Sequence, residues 1–273
     1  MAMVTISRQL GSLGTEIGQC VAEKLRYEYV DKKMVTEALA NYGLFAPEVE
    51  KFDEKKPTFW DSFQIQKKKF LHALEAVIYD LAGKGNVVIV GRGGQVLLKN
   101  LPGVLHVRII APFETRLKRI LAMERGNEKR ASRALNQSDR DSAGFLRSFF
   151  DVNWDDRNLY DLMINTEKLS VETGVKLIID SISSLEIQEG GKGVEAKLID
   201  LALTQKVEVI LMGIIGRGFD NVDVQVKEGA VHLSGLVASD ILKEDCLRAV
   251  GRLEGVKRVE SSHFHIQVPY YGP

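Results

Sequence analysis

The first 26 residues constrain the fold of this chain most strongly. The apolar run MVTIS (3–7) leads into the glycine-containing turn QLGSLGT, and residues 15–26 then carry apolar side chains at helical spacing. The same alternation continues, with apolar β-branched runs at 86–91, 104–111 and 160–165 and helix-like segments at 113–124 and 171–185. Strands that alternate with helices in this way predict an α/β fold, with a parallel sheet flanked by helices.

The pattern changes near residue 186. Three glycines lie among charged residues in EIQEGGKGVE (186–195), which is the composition of a linker. A helix follows, then the strands VDVQVKEG and AVHLSGLV with Gly229 in a hairpin turn, a second helix and the strand SHFHIQV. We therefore predict domains at 1–186 and 194–273, the second a small α+β unit, with a linker at 187–193. The polar and aromatic segment 51–69 is predicted to be a mobile insertion or cap.

Composition narrows the classes of partner and compartment. The 273 residues have a formal net charge of zero, so no general attraction to DNA, RNA or an anionic membrane is expected. Cys20 and Cys246 fit neither a metal site nor a disulfide framework, which favours a cytoplasmic protein. No secretory signal is visible in MAMVTISRQ, and the most apolar segment, VEVILMGIIG, is about half as long as a membrane span.

The turn GSLGT (11–15) has features of a phosphate-binding loop. A glycine-rich turn at a helix N-terminus presents backbone N–H groups and a partial positive charge to an anion. On the pattern G-x-x-x-x-G-K-[ST], Thr15 falls on the hydroxyl position that binds Mg²⁺, but Gly14 replaces the lysine and Leu13 the last glycine. From this stretch alone, a phosphate loop and a plain strand–helix turn are about equally supported.

Two further basic features accompany this loop. Arg92 follows a predicted strand in VGRGG, where ligands of parallel sheets bind, and its planar guanidinium suits phosphate; the alternative is a surface arginine in a turn. Residues 116–147 hold nine basic and four acidic side chains. They form either a solvated helix face or a lid that closes over phosphates, with the carboxylates of SDRDS (138–142) orienting arginines or a sugar.

Four segments in a fixed order resemble the cytidylate kinase-like family, a branch of the P-loop nucleoside monophosphate kinases. They are ISRQLGSLGTEIG, VVIVGRGGQVLL, LPGVLHVRIIAPFETRLKRI and DRNLYDLMINTEKLSVETGVKLI. The resemblance covers about residues 3–185 and implies a P-loop kinase-type sheet. Because that branch opens with Ile-Ser-Arg and a Gly-Ser-Gly-Gly loop, the missing lysine is a trait of the branch, whereas Leu13 departs from it.

The resemblance implies roles on the ATP side. Gly11, Ser12, Gly14 and Thr15 match the phosphate loop, with Thr15 as the Mg²⁺ partner. The implied cofactors are ATP and Mg²⁺. We expect Arg8 to supply the positive charge of the missing lysine, with Arg92 as the second choice.

The resemblance also implies roles on the acceptor side. Arg92 matches the arginine that contacts the monophosphate, Arg140 and Asp141 resemble part of the lid segment, and Asp31 matches the aspartate of the substrate motif LDTGA(M/I)YR. We assign Arg8, Arg92 and Arg140 to catalysis, and Asp31, Arg92 and Asp141 to the substrate. Lys32 and Lys33 depart from the family motif, which indicates a different nucleobase pocket.

The C-terminal segment resembles a BON domain. The hairpin VQVKEGAVHLSGLV, the following helix and GVKRV carry the likeness, which implies binding of a small ligand or lipid, or self-association. His263 and His265 share one face of a strand, where metal binding and simple exposure are both open.

Three functions remain open from the sequence. The first is ATP-dependent phosphoryl transfer to a nucleoside monophosphate, cytidylate-like, or to a related small phosphate acceptor. The second is a non-catalytic nucleotide sensor coupled to the BON-like module, and the third is a structural interaction protein.

Overall fold

The computed structural model describes residues 2–44, 60–124 and 127–266. The described chain divides into two compact units, one built from 2–37 and 84–195 and the other from 38–44, 60–83 and 196–266. Part of the predicted insertion or cap, 51–59, lies outside the described residues, whereas 60–69 begins a long helix.

The first unit is built on a five-stranded sheet with the order β2-β3-β1-β4-β5, in which every neighbouring pair is parallel. The strands are β1 (Met3–Arg8), β2 (Glu28–Val30), β3 (Val87–Val90), β4 (Val104–Ile110) and β5 (Leu162–Asn165). Ile6 lies opposite Val90, and Arg8 opposite Ile109, so the carboxyl ends of the three central strands reach one edge of the sheet. The predicted parallel α/β sheet is confirmed.

The described residues of both units form ten α-helices. They are α1 (Gly14–Leu25), α2 (Lys32–Leu39), α3 (Trp60–Gly83), α4 (Gly94–Leu97), α5 (Phe113–Glu124), α6 (Glu128–Phe150), α7 (Val171–Ile182), α8 (Leu185–Gly190), α9 (Val194–Ile215) and α10 (Asp240–Gly251). Short 3₁₀ turns cover Ala40–Tyr42, Arg157–Leu159 and Gly216–Asn221.

Helices α1 and α7 bury their apolar stripes against the sheet, in one core with β1, β3 and β4. Gly174 allows α7 to approach α1 closely, since a Cβ atom there would lie 2.9 Å from the Ile17 side chain. The core therefore fixes α1 directly behind the end of β1, where the predicted phosphate loop lies.

The second unit contains a three-stranded sheet with the order β6-β7-β8. Strands β6 (Val222–Lys227) and β7 (Ala230–Val237) form an antiparallel hairpin, and β8 (Arg258–Ile266) pairs in parallel with β7. Glu228 and Gly229 both have positive φ, 52° and 78°, as a two-residue hairpin turn of this hand requires. The predicted hairpin is confirmed.

Two predicted segments differ in length from the structure. The helix predicted at 194–205 continues to Ile215, so VEVILMGIIG is helical; Val207 and Leu211 within it are buried in the core of the second unit. No helix in the described part of the chain is both long and apolar enough to cross a membrane.

The predicted linker 187–193 includes most of α8, whose Ile187 packs on the core of the first unit. The domain bounds 1–186 and 194–273 stay predictions.

Candidate functional site

Two clefts open at the edge where β1, β3 and β4 end. The first cleft has a volume of about 430 Å³ and is lined by residues that include Ser7, Arg8, Arg92, Gln95, Asp141, Phe145 and Trp154. The phosphate-loop cleft has a volume of about 150 Å³ and is lined by residues that include Gly11, Leu13, Gly14, Thr15, Glu16 and Arg119. Arg8 and Ser138 line both clefts, so they mark the place where the two meet.

The loop between β1 and α1 is held by its own backbone geometry. Gly11 and Leu13 are left-handed, with φ of 75° and 63°. Ser12 is fully buried, and its hydroxyl donates to the carbonyl oxygen of Gln9 at 2.7 Å. Thr15 is exposed in the first turn of α1 and lines the phosphate-loop cleft. The left-handed φ of Leu13 gives a physical reason for the glycine in the family pattern.

Arg8 ends β1 with its side chain enclosed between two glycines, Gly14 at the Cβ and Cγ atoms and Gly91 at the guanidinium. A Cβ atom on Gly14 would collide with the Arg8 side chain, and one on Gly91 would lie 3.2 Å from its Nη1. Within the described residues, the buried Nε has no hydrogen-bond partner. Burial lowers the pKa of Arg8; Arg92 lowers it further, whereas Tyr29 and Asp31 oppose the shift. The result is an incompletely bonded cation at the junction of the two clefts.

Arg92 occupies a strained turn between β3 and α4. Gly91, Arg92 and Gly93 are consecutive left-handed residues, with φ of 81°, 55° and 73°. This conformation is uncommon for a residue with a side chain and is typical of functional sites. A Cβ atom on Gly93 would lie 2.5 Å from the ring of Phe150, and the guanidinium carbon of Arg92 lies 5.7 Å from the centroid of Phe145. The turn therefore directs Arg92 toward the first cleft, which it lines.

Of the two other residues predicted to bind the substrate, Asp141 lines a cleft and Asp31 does not. Asp141 lines the first cleft and accepts a hydrogen bond from Gln137 Nε2 at 2.6 Å. Asp31 instead accepts the backbone N–H groups of Lys33 and Met34 at 2.9 and 3.1 Å, as an N-cap of α2, and it lines neither cleft.

Arg140, predicted to be catalytic, lies outside both clefts. Its side chain is on the exposed face of α6 and donates to Gln137 Oε1 at 3.1 Å. Helical periodicity explains the difference: the neighbouring Asp141 lies about 100° further round the helix and faces the cleft. The position of Arg140 gives no support to a catalytic role, whereas the roles predicted for the other site residues stay predictions.

Two residues that were not predicted as site residues donate hydrogen bonds to carbonyl groups of the loop. Arg119 Nη1 donates to the carbonyl oxygen of Gly11 at 3.2 Å, and Arg119 Nη2 donates to that of Thr166 at 2.6 Å. The Thr166 hydroxyl donates to the carbonyl oxygen of Ser12 at 2.8 Å. The basic run and YDLMINT contain these residues, but nothing in the sequence pairs them with a loop more than 100 positions away.

A buried arginine supports the wall of the first cleft. Arg108 on β4 is 1% exposed, and its guanidinium carbon lies 3.6 Å from the ring centroid of Trp154. Arg108 Nη1 and Trp154 Nε1 both donate to Ser7 Oγ, at 2.8 and 2.9 Å. Burial lowers the pKa of Arg108, opposed by Tyr160 and Asp155. No local sequence pattern indicates this arrangement, because Arg108 lies within an apolar strand.

A separate polar cluster lies inside the second unit, between α3 and α9. His72 Nδ1 is 2.6 Å from Gln205 Oε1, 2.8 Å from Glu208 Oε2 and 3.8 Å from Glu75 Oε2. Burial raises the pKa of Glu75 to about 7, which Glu208 reinforces and His72 opposes. Burial alone would lower the pKa of His72, but the contacts with Glu208 and Gln205 outweigh it and raise the pKa.

The histidines predicted as a possible metal pair are both exposed on β8, on the face opposite the buried Phe264. Among the residues that the structure describes, no group of three or more His, Cys, Asp or Glu side chains could hold a metal ion. Exposed strand residues are therefore the interpretation that the geometry supports.

The fold and the loop define the first unit as a kinase-type P-loop sheet. It has a glycine-containing loop between β1 and α1, and the first cleft lies beside the phosphate-loop cleft. The family model of the cytidylate kinase-like family matches residues 3–168, and the chain belongs to this family. The model of the BON domain matches residues 201–268. Both resemblances noted in the sequence are thereby confirmed, and the membership supports a kinase-like phosphotransfer role.

Three similar proteins each match about two thirds of this chain. A cytidylate kinase of Methanocaldococcus jannaschii is 26% identical over 187 residues, which are 67% of this chain and 99% of that protein. A cytidylate kinase of Staphylothermus marinus is 26% identical over 183 residues, 67% of this chain and 97% of that one. A crystal structure of a protein from Eubacterium ventriosum has a TM-score of 0.54 and 21% identity, covering 67% of this chain and 99% of its own, and so shares the fold.

Proposed function

We propose that this protein transfers a phosphoryl group from ATP to a nucleoside monophosphate, cytidylate-like, or to a related small phosphate acceptor. The observation that carries the proposal is the position of Arg8, which lines both clefts and has a buried Nε with no hydrogen-bond partner among the described residues. A cation at this point can contact a phosphoryl group on either side of the transfer. Such positioning and charge are the main protein contributions to phosphoryl transfer.

The sizes and linings of the clefts support an assignment of the two substrates. The phosphate-loop cleft, at about 150 Å³, offers the loop and the N-terminus of α1 to the phosphates of ATP. The first cleft, at about 430 Å³, lies within the range of small-molecule sites and holds Arg92 for the acceptor phosphate. Asp141 is the candidate for orienting the acceptor. No general base is required, because a monophosphate oxygen is already anionic.

The loop residues fit Mg²⁺ bound together with the nucleotide. Mg²⁺ usually takes one or two protein oxygens and completes its shell with phosphates and water, so a dedicated cluster of carboxylates is unnecessary. The Thr15 hydroxyl is exposed in the phosphate-loop cleft and is our candidate ligand. When bound, the ion would neutralise phosphate charge.

The decisive experiment removes the charge of Arg8. ADP release is measured with Mg-ATP and a panel of CMP, UMP, AMP and GMP, and ATP binding is measured by calorimetry. We expect Arg8→Met to lower kcat/KM by about 100-fold or more, as for other lost transition-state charges, and Arg8→Lys to retain part of the rate. Lys176→Met is the control, because it removes one positive charge from the exposed face of α7. Wild-type turnover in Arg8→Met would remove Arg8 from the mechanism.

One observation favours the nucleotide sensor as a second candidate. Leu13 places a side chain in the phosphate-loop cleft, where the family has glycine. Saturable ATP binding by the wild-type protein without turnover of any acceptor would support the sensor, with the BON domain binding a small ligand or lipid, or self-associating. Absence of ATP binding would reject both. For either function we propose a cytoplasmic location, with Cys20 and Cys246 as free thiols.

A further inference from the structure

A partly buried ion pair, in which the Asp139 side chain is 27% exposed, joins α5 to α6 beside the phosphate loop. Arg116 is 4% exposed, and its Nη1 and Nη2 donate to the two carboxylate oxygens of Asp139 at 3.1 and 2.8 Å. This two-pronged geometry is the strongest form of an arginine–carboxylate contact and fixes direction as well as distance. The pair therefore sets how α6 is oriented on α5.

The arginine of this pair also holds the loop. Arg116 Nη1 donates to the carbonyl oxygen of Leu10 at 3.3 Å, and its Nε donates to that of Ala111 at 3.2 Å. The loop packs directly on the backbone here, since a Cβ atom on Gly11 would lie 3.1 Å from the Arg116 carbonyl oxygen. Because every nitrogen of the guanidinium has a protein partner, Arg116 is engaged in structure and not offered to a phosphate.

Asp139, the carboxylate of the pair, belongs to the helix that forms part of the wall of the first cleft. Asp139 follows Ser138, which lines both clefts together with Arg8. Helix α6 also supplies Asp141 and Phe145 to the first cleft. An apolar contact of Leu117 and Ile120 with Ala131 and Leu135 packs the two helices together, but such a contact does not fix their register as a hydrogen-bonded pair does.

We propose that Arg116 and Asp139 are positioning residues that couple the phosphate loop to α6. A nucleotide that orders the loop is thereby linked to the wall of the first cleft through Leu10, Arg116, Asp139 and Ser138. Through this pair, the position of the α6 wall in the first cleft depends on whether a nucleotide occupies the phosphate-loop cleft. This inference rests on the proposed function for its consequence in catalysis, but the coupling itself can be measured without turnover.

The test compares hydrogen exchange of Asp139→Asn with the wild-type protein, with and without the ATP analogue AMP-PNP. In the nucleotide-free protein, we expect Asp139→Asn to raise exchange in the middle of α6 by about tenfold, within the usual range of coupling between sites. In the wild-type protein, AMP-PNP should slow exchange in both the loop and α6. In Asp139→Asn it should slow exchange in the loop alone, an effect that a purely structural role would not produce.

Three further variants complete the test. Glu128→Gln makes the same carboxylate-to-amide change at an exposed site of α6 and should behave as wild type. Asp139→Glu keeps the charge and should restore part of the coupling. Arg116→Lys, which loses the two-pronged bond, replaces Asp139→Asn if that variant does not fold.

The inference is overturned if α6 of Asp139→Asn exchanges as in the wild-type protein, or if AMP-PNP still protects it. Failure of the proposed function gives a different result. A wild-type protein that binds AMP-PNP but turns over no acceptor rejects phosphoryl transfer alone, and the comparison of the variants then still decides the coupling. If the wild-type protein does not bind AMP-PNP, both the proposed function and the coupling are rejected.

Discussion

Replacing Leu13 by glycine should improve nucleotide binding with little change in stability. Leu13 has φ of 63°, and the left-handed conformation costs a residue with a side chain about 1–2 kcal/mol. Glycine removes that cost but loses about 0.5–1 kcal/mol of backbone entropy. Removal of a half-buried leucine side chain costs roughly 1 kcal/mol more, half of its full burial. These terms nearly cancel, so the free energy of unfolding should change by less than about 1 kcal/mol.

Leu13→Ala separates the two effects, because alanine keeps the unfavourable φ and loses the same apolar contacts. Leu13→Gly should therefore be more stable than Leu13→Ala by about 0.5–1 kcal/mol, the reverse of their order inside a helix. Because Leu13 lines the phosphate-loop cleft, both variants should bind Mg-ATP more tightly than the wild-type protein.

Urea unfolding and calorimetric ATP titration of the three proteins provide the measurements. An alanine variant that is as stable as the glycine variant would refute the argument from φ. Equal ATP affinities in all three proteins would show that the Leu13 side chain does not obstruct the nucleotide.

Two further predictions concern other parts of the chain. Gly93→Ala should destabilise the first unit by about 2 kcal/mol or more, seen in thermal unfolding, because it adds a Cβ atom at φ of 73° against Phe150; an unchanged midpoint would contradict the packing. The free energy of unfolding of the second unit should fall by on the order of 2 kcal/mol from pH 5 to 8. The pKa of Glu75 is raised from 4.5 to about 7, so in this range the folded state binds a proton that the unfolded state has lost. His72, whose pKa is also raised, contributes stability at low pH that is lost in the same direction, and Glu75→Gln should flatten the pH profile.

The Lys-less loop has a consistent physical account in this chain. Its carbonyl groups accept hydrogen bonds from Arg116, Arg119 and Thr166, and a different element, β1, places the cation Arg8 where the two clefts meet. Arg8 fits that place because β1 ends there and because Gly14 and Gly91 leave room for its side chain. The prediction that Arg8 replaces the lysine thus has a steric basis, which the Arg8 variants test.

The sequence by itself determined the parallel sheet, the hairpin at Gly229 and the family. These features depend on local periodicity, turn chemistry and the order of motifs, all of which can be read along the chain. The same local reading located Arg92 and Asp141, because the carboxyl ends of parallel strands and one face of α6 converge on the first cleft.

Only the tertiary structure decided which charged residues act together. Arg140 and Asp141 are adjacent in sequence, yet only Asp141 lines a cleft. Asp31 caps a helix, whereas Arg116 and Asp139 form a partly buried pair across 23 positions. The side chains of a basic run have similar local signals, and their roles differ because distant elements bring some of them to partners and leave others in solvent. That selection depends on packing, which the order of residues does not display.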